Sequence, residues 1–213
     1  LARGPLARHM LVALGADEYV FAMALHHIVS DGWSTSILIR EFMQLYAAYV
    51  EGHEPDLPVP AQYVDYAGWE QRLAVEGSFA RSLDFWKRKL EGAPALIELP
   101  TDCSRPMAQS FRGQRMLRRI SGELLGRLKD LARREGSTLF VVLLSAWQVL
   151  LHRYSGQDDI LVGSAAANRS MPELESIVGC LANTIVLRGR MDGNPSFKDY
   201  MASATATVFD ALD

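Results

Sequence analysis

The sequence has little cysteine: Cys103 and Cys180 are the only two, and they lie far apart. No CxxC pair and no zinc-type ligand spacing occurs, so neither a disulfide framework nor a structural metal site is encoded. This usage fits a reducing cytosol. Phosphate-cradling glycine loops are also missing. Neither GxGxxG nor GxxxxGK[ST] is present, which removes kinases, ATPases and dinucleotide enzymes. GxSxG is absent, and Gly163-Ser164-Ala165 is too generic to mark a serine nucleophile. There is no excess of positive charge: 22 Lys and Arg stand against 25 Asp and Glu, for a net charge of −3. Nucleic-acid binding would need a basic stripe, and the run Arg112 to Arg119 is broken by Gly113, Gln114, Met116 and Leu117. The apolar run Leu139 to Leu144 is far too short to span a bilayer, and no secretory signal pattern opens the chain.

Apolar residues make up 49% of the 213 positions, enough for a sizeable core. Tyr19 to His27 is short and almost continuously apolar, the pattern of a strand buried on both faces. Strand alternation puts His26 and His27 on opposite faces, so only one of them can address a given cavity. Leu38, Phe42, Leu45 and Tyr49 recur at helical spacing, predicting a helix from about Ser34 to Val50 capped by Ser34 or Asp31. A second helical region covers Ala61 to Leu90, broken near Gly77. Its aromatics Tyr63, Tyr66, Trp69, Phe85 and Trp86 read as core. Pro94, Pro100 and Pro106 mark Gly92 to Phe111 as a connecting stretch. Beyond it, a strand is expected over Gln114 to Ile120 and a helix over Glu123 to Glu135. A buried helix over Thr138 to Tyr154, capped by Ser137 and ended by Gly156, follows. Ile160 to Ala166 and Thr184 to Arg190 read as strands, and a last helix is opened by Ser196. Helices and strands mix in both halves, so the class is α/β, or α+β in two layers.

One stretch concentrates chemistry: Leu25-His26-His27-Ile28-Val29-Ser30-Asp31-Gly32-Trp33-Ser34. An imidazole closes an apolar run, with a carboxylate and a turn next to it. Imidazole is the side chain best suited to proton handling near neutral pH. A histidine at a strand end is more often structural than catalytic, and no third ligand stands at a metal spacing. What the residues leave open is proton transfer or positioning by a histidine. Acyl transfer to an amine or hydroxyl fits that chemistry, with a base removing a proton and an amide stabilising an oxyanion.

The segment His26 to Gly32 resembles the HHxxxDG signature of condensation domains of nonribosomal peptide synthetases, relatives of chloramphenicol acetyltransferase. Two further segments lie in the same order. Tyr63-Val64-Asp65-Tyr66-Ala67-Gly68-Trp69 resembles YxDYAxW, and Val178 to Arg188 resembles (I/V)GxxxNTxxxR. Leu150 to Ile160 and Gly163 to Arg169 are similar too, so the resemblance runs over essentially the whole chain. One departure is Cys180-Leu181-Ala182, where many relatives carry aromatic and branched residues.

The resemblance implies an α/β fold of the chloramphenicol acetyltransferase type, built from two lobes around a tunnel. It implies that residues 1–98 end the N-terminal lobe, 99–113 link the lobes, and 114–213 begin the C-terminal lobe. Both lobes would be incomplete, in keeping with a chain that opens without methionine and stops in a helical pattern. The implied reaction is amide-bond formation between a carrier-bound acyl or peptidyl thioester and the amine of a carrier-bound aminoacyl acceptor. His27 is the implied catalytic residue. His26, Asp31, Gly32 and Arg169 are implied to be structural, with Asp31 paired to Arg169. The Gly32 amide or Ser34 is a candidate oxyanion donor, and Asn183 a tunnel residue. The implied partners are upstream and downstream peptidyl carrier domains and an adjacent adenylation domain, in the cytoplasm. Substrates would arrive on phosphopantetheine arms, with no cofactor held by the domain itself. An epimerisation domain would need a further EGHGR-like segment, which is absent after Gln114. A heterocyclisation domain would replace the two histidines. A stand-alone acyltransferase and a non-catalytic carrier-docking module are the remaining alternatives.

Overall fold

The computed structural model describes residues 3–104 and 106–212. In chain order the elements are β1 (Ala7–Ala13), β2 (Tyr19–Leu25), α1 (Gly32–Glu51), α2 (Tyr63–Val75), α3 (Ala80–Leu90), α4 (Gly122–Arg134), α5 (Leu139–Ser155), β3 (Asp159–Ala166), α6 (Pro172–Glu175), β4 (Asn183–Arg190) and α7 (Phe197–Leu212). The class is α/β. The chain forms two compact units that interleave in sequence. One holds the chain up to Leu83 together with Ala165–Asn183; the other holds Asp84–Ser164 together with the segment from Thr184 onward. No single helix among the described residues is long and apolar enough to cross a membrane.

In the first unit β1 and β2 pair antiparallel in the register Ala7 to Leu25 through Ala13 to Tyr19. The reversal between them is closed by the Leu14 amide donating to the Glu18 carbonyl at 2.8 Å. Phe21 of β2 stacks on His9 of β1 and, at 4.8 Å between centroids, on Phe42 of α1. Tyr63, Tyr66 and Trp69 of α2 form a run of tilted rings. Around Tyr66, the buried residues Leu174, Ile177 and Leu181 form a core with Trp69 and Met171.

The strand expected over Tyr19 to His27 is both shorter and wetter than its composition predicts. It ends at Leu25, and Tyr19, Val20 and Phe21 are exposed. The physical reason is that, among the described residues, β2 pairs with β1 alone, and the Phe42 ring of α1 leaves Tyr19, Val20 and Phe21 exposed. The parity argument for the two histidines therefore lapses, because both lie past the strand.

In the second unit α4, α5 and α7 enclose a core of Ala132, Val141, Val142, Leu144, Met201, Ala204 and Val208, with Leu187 of β4. β3 and β4 form its sheet. α5 is capped by Thr138, whose hydroxyl accepts from the Val141 amide, and ends on Gly156 at φ 71°. The expected cap Ser137 instead bonds Thr205 across to α7 at 2.9 Å. The expected strand over Gln114 to Ile120 is absent: the stretch has no regular structure. Alternation supplies a strand's faces, but a strand exists only where a neighbour completes its hydrogen-bond ladder.

One buried polar network in this unit is matched, although the buried Ser145 hydroxyl has no hydrogen-bond partner among the described residues. The Gln148 amide is 1% exposed; it donates to the Leu187 carbonyl at 3.0 Å and accepts from the Tyr200 hydroxyl at 2.9 Å. Burial pushes the Tyr200 hydroxyl up to about 12, so it remains a donor. Arg188 forks onto Asp159 and reaches the Lys89 and Glu91 carbonyls. Gly189 faces this network, and a Cβ there would overlap the Tyr200 hydroxyl. Gly189→Ala is expected to cost about 1–3 kcal/mol through overpacking, read as a lower urea midpoint with unchanged slope.

Candidate active site

The chain leaves β2 at Leu25, and His26 caps a short 3-10 turn over His27–Val29. The His26 Nδ1 accepts from the Ile28 amide at 3.0 Å. His27 sits at the start of this turn with an exposed side chain. Its Nδ1 lies 3.6 Å from the Cys180 Sγ. Asp31 follows at once and caps α1. Its Oδ1 accepts from the Ser34 amide at 2.8 Å, which is why a helix starts at Gly32.

Asp31 does far more than cap. Its side chain is 2% exposed, and that of Arg169 is 1% exposed. Arg169 forks onto both carboxylate oxygens, at 2.9 Å and 3.2 Å. The Ser34 hydroxyl contacts Oδ1 at 2.7 Å. The Leu181 and Ala182 amides donate to Oδ2, each at 3.2 Å. One buried carboxylate thus joins the start of α1, the segment 179–182 and the loop carrying Arg169. Burial alone would raise its pKa. The Arg169 guanidinium, the Ser34 amide and hydroxyl, and the charge attraction outweigh that, and hold the carboxyl well below the usual range. These partners favour the charged carboxylate over the protonated form.

Ser34 is fully buried. Its hydroxyl accepts from the Gly179 amide at 3.0 Å and lies 2.7 and 2.8 Å from the Asp31 Oδ1 and the Gly179 carbonyl. A hydroxyl has one proton, and both acceptors within its reach are internal. The expectation that Ser34 donates to an oxyanion is therefore corrected: it is a buried bridge. Gly32 is the first residue of α1 and is exposed. Its amide belongs to the helix turn that has no intrahelical acceptor. Asn183 is exposed at the start of β4. The structure brings His27, Asp31, Ser34 and Arg169 into one neighbourhood of the first unit.

A model of the condensation domain family matches residues 1–213. The chain belongs to the condensation domain family. It is 45% identical over 212 residues to a linear gramicidin synthase polypeptide of Brevibacillus parabrevis, covering 99% of this chain and 4% of that protein. It is 38% identical over 213 residues to the phosphinothricin tripeptide synthetase PhsC of Streptomyces viridochromogenes, covering 100% of this chain and 20% of that protein. Among solved structures, the X-domain from teicoplanin biosynthesis matches with a TM-score of 0.87 at 27% identity, over 99% of this chain and 48% of that one. The four-domain nonribosomal peptide synthetase holo-AB3403, bound to AMP and glycine, matches with a TM-score of 0.85 at 27% identity, over 99% of this chain and 16% of that one. The α/β fold expected of a condensation domain is borne out. The chain spans only a few per cent of the gramicidin synthase polypeptide and about half of the X-domain chain.

The condensation-domain motifs now have local physical reasons. Tyr63 lies against Gly179, where a Cβ would overlap its ring, and its hydroxyl donates to the Cys180 carbonyl at 3.4 Å. Trp33, following Gly32, donates to the Glu175 carbonyl at 2.9 Å and lies 5.6 Å from the Arg169 guanidinium carbon. Sequence reasoning assigned Tyr63 to the core and passed over Trp33 and the 181–182 amides. The YxDYAxW pattern was the available signal for Tyr63. Nothing in the sequence marks two backbone amides as carboxylate donors.

Asp31→Ala is expected to cost about 3–5 kcal/mol, because it strands the buried Arg169 charge. Arg169→Lys should recover only part of the loss of Arg169→Ala, since an ammonium cannot fork. The pH dependence has a fixed sign. The folded pKa of Asp31 lies below its unfolded value of about 3.9, so its stabilisation is complete above about pH 5 and is lost as pH falls through the folded value. The stability gap between wild type and Asp31→Asn, measured by urea unfolding, should be widest near neutrality and narrow below about pH 4.

Proposed function

We propose that this chain carries the catalytic histidine of a nonribosomal peptide synthetase condensation domain. That domain joins a donor acyl or peptidyl thioester to the amine of an aminoacyl acceptor, both held on carrier domains. The observation that carries the reading is the exposed His27, set on a turn directly ahead of a carboxylate pinned by Arg169. The acceptor nitrogen attacks the thioester carbonyl. A C–N bond forms, the C–S bond breaks, and the pantetheine sulfur leaves with a proton. His27 takes or positions the amine proton. The Gly32 amide, at the open end of α1, is the donor assigned to the developing oxyanion. His26 is structural, in keeping with its bond to the Ile28 amide. Asn183 is assigned to the substrate channel.

In this reading residues 1–98 and 114–213 belong to two lobes of a longer domain, joined by 99–113. Residues 1–213 span about half the length of the X-domain chain, so turnover is assigned to the longer domain rather than to these residues alone. The upstream and downstream peptidyl carrier domains supply the phosphopantetheine arms, and the adenylation domain is the neighbour in the polypeptide. The domain holds no cofactor or metal of its own, contacts neither nucleic acid nor membrane, and works in the cytoplasm.

A second reading has one observation in its favour: the likeness to the X-domain of teicoplanin biosynthesis, which another structure shows in complex with OxyB. A docking module would bind carrier or tailoring proteins without transferring a chain. The intact His26-His27 pair and Asp31 favour the catalytic reading.

The test is single-turnover amide formation by the full condensation domain bearing this sequence, with loaded donor and acceptor carriers. Loss of the base is expected to slow it by about 10²–10⁴-fold in His27→Ala, with carrier binding unchanged. Undiminished turnover in His27→Ala would defeat the role of His27. Carrier binding with no turnover in the wild type would favour the docking module.

A further inference from the structure

Asn168 immediately precedes Arg169 and adopts a left-handed backbone at φ 54°. That conformation is uncommon outside glycine, and asparagine is among the residues that tolerate it best. At this point the chain turns so sharply that the Arg169 Nη1 donates to the Ala167 carbonyl at 3.1 Å while also reaching Asp31. Asparagine's tolerance does not by itself select this backbone, and the Asn168 side chain has a partner. The Asn168 Nδ2 donates to the Tyr66 hydroxyl at 3.1 Å. The Tyr66 hydroxyl in turn donates to Glu70 Oε1, one helical turn along α2, at 2.8 Å. With its single proton on Glu70, the hydroxyl can only accept from Asn168, so the bond runs in one direction. Tyr66 is 6% exposed and fixed among Leu174, Ile177 and Leu181. Leu181 is itself an amide donor to Asp31. Tyr66 therefore touches the hub from two sides, through Asn168 and through Leu181.

We propose that Tyr66 is a positioning residue: through Asn168 it sets the backbone turn that aims Arg169 at Asp31, and so holds the His27 turn in place. Its connection to catalysis rests on the reading that His27 is the catalytic residue. Its connection to Arg169 does not.

The experiment uses the full condensation domain with Tyr66→Phe, Asn168→Gly, Asn168→Ala and the double variant Tyr66→Phe/Asn168→Gly. Asn168→Gly keeps the left-handed backbone accessible and deletes only the side-chain bond. It also leaves Tyr66 and Glu70 untouched, which separates the latch from any titration of Glu70. The first readout is stability against pH. A loosened Arg169 lets the Asp31 pKa rise toward its unfolded value, so the loss in Tyr66→Phe and Asn168→Gly should be large at pH 7 and fade toward pH 3. A loss equal at all pH values means a merely structural contact and overturns the proposal. The second readout is kcat with loaded carriers. Each single variant should fall by roughly threefold to tenfold at unchanged KM, the double variant no further, and Asn168→Ala below Asn168→Gly. Multiplicative losses in the double variant overturn it. Absence of turnover in every version, with the pH signature intact, would refute the catalytic reading and leave the latch standing.

Discussion

The local order around the candidate site depends on one buried carboxylate. Asp31 has almost no solvent to stabilise its charge, so the protein supplies its partners, locally from Ser34 and at long range from Arg169 and the Leu181 and Ala182 amides. A stranded buried charge costs several kcal/mol. Removing one partner therefore leaves charge or polar groups unmatched in the interior. His27 lies four residues before this anchor, on the turn that leads into it.

The same constraint divides the labour among polar groups that look alike in the sequence. Asp31 is locked as an anion and Ser34 is walled in by its own partners, so neither is free to handle protons. His26 spends its Nδ1 on the backbone. His26 and His27 are both exposed, and His27 has the Cys180 thiol as its neighbour. In the proposed reading His27 is the catalytic residue, because its Nδ1 is not bound to the local backbone as that of His26 is.

The helices were legible in the sequence because their signals are local. The 3.6-residue spacing in α1, α4, α5 and α7, and the glycine breaks at Gly77 and Gly156, act within a few residues. Strand assignments fared less well for a physical reason. Whether Gln114 to Ile120 or Tyr19 to His27 is paired and buried is decided by other segments, and local alternation cannot report it. At the site, the motif residues were legible as a set, and the structure brings Asp31 and Arg169 together as the resemblance implied. The roles of Tyr66, Asn168 and the Leu181 and Ala182 amides were not legible. A left-handed asparagine and a pair of backbone donors leave no mark in residue type.

The most direct measurement of this account is a carboxyl-carbon NMR titration of Asp31 in the full condensation domain. The account predicts that its resonance does not move through the interval near pH 4 where ordinary aspartates protonate, because Arg169, Ser34 and two amides hold the charge. A normal titration there, with the domain still folded, would mean that the carboxylate is not pinned and that the order around His27 has another origin.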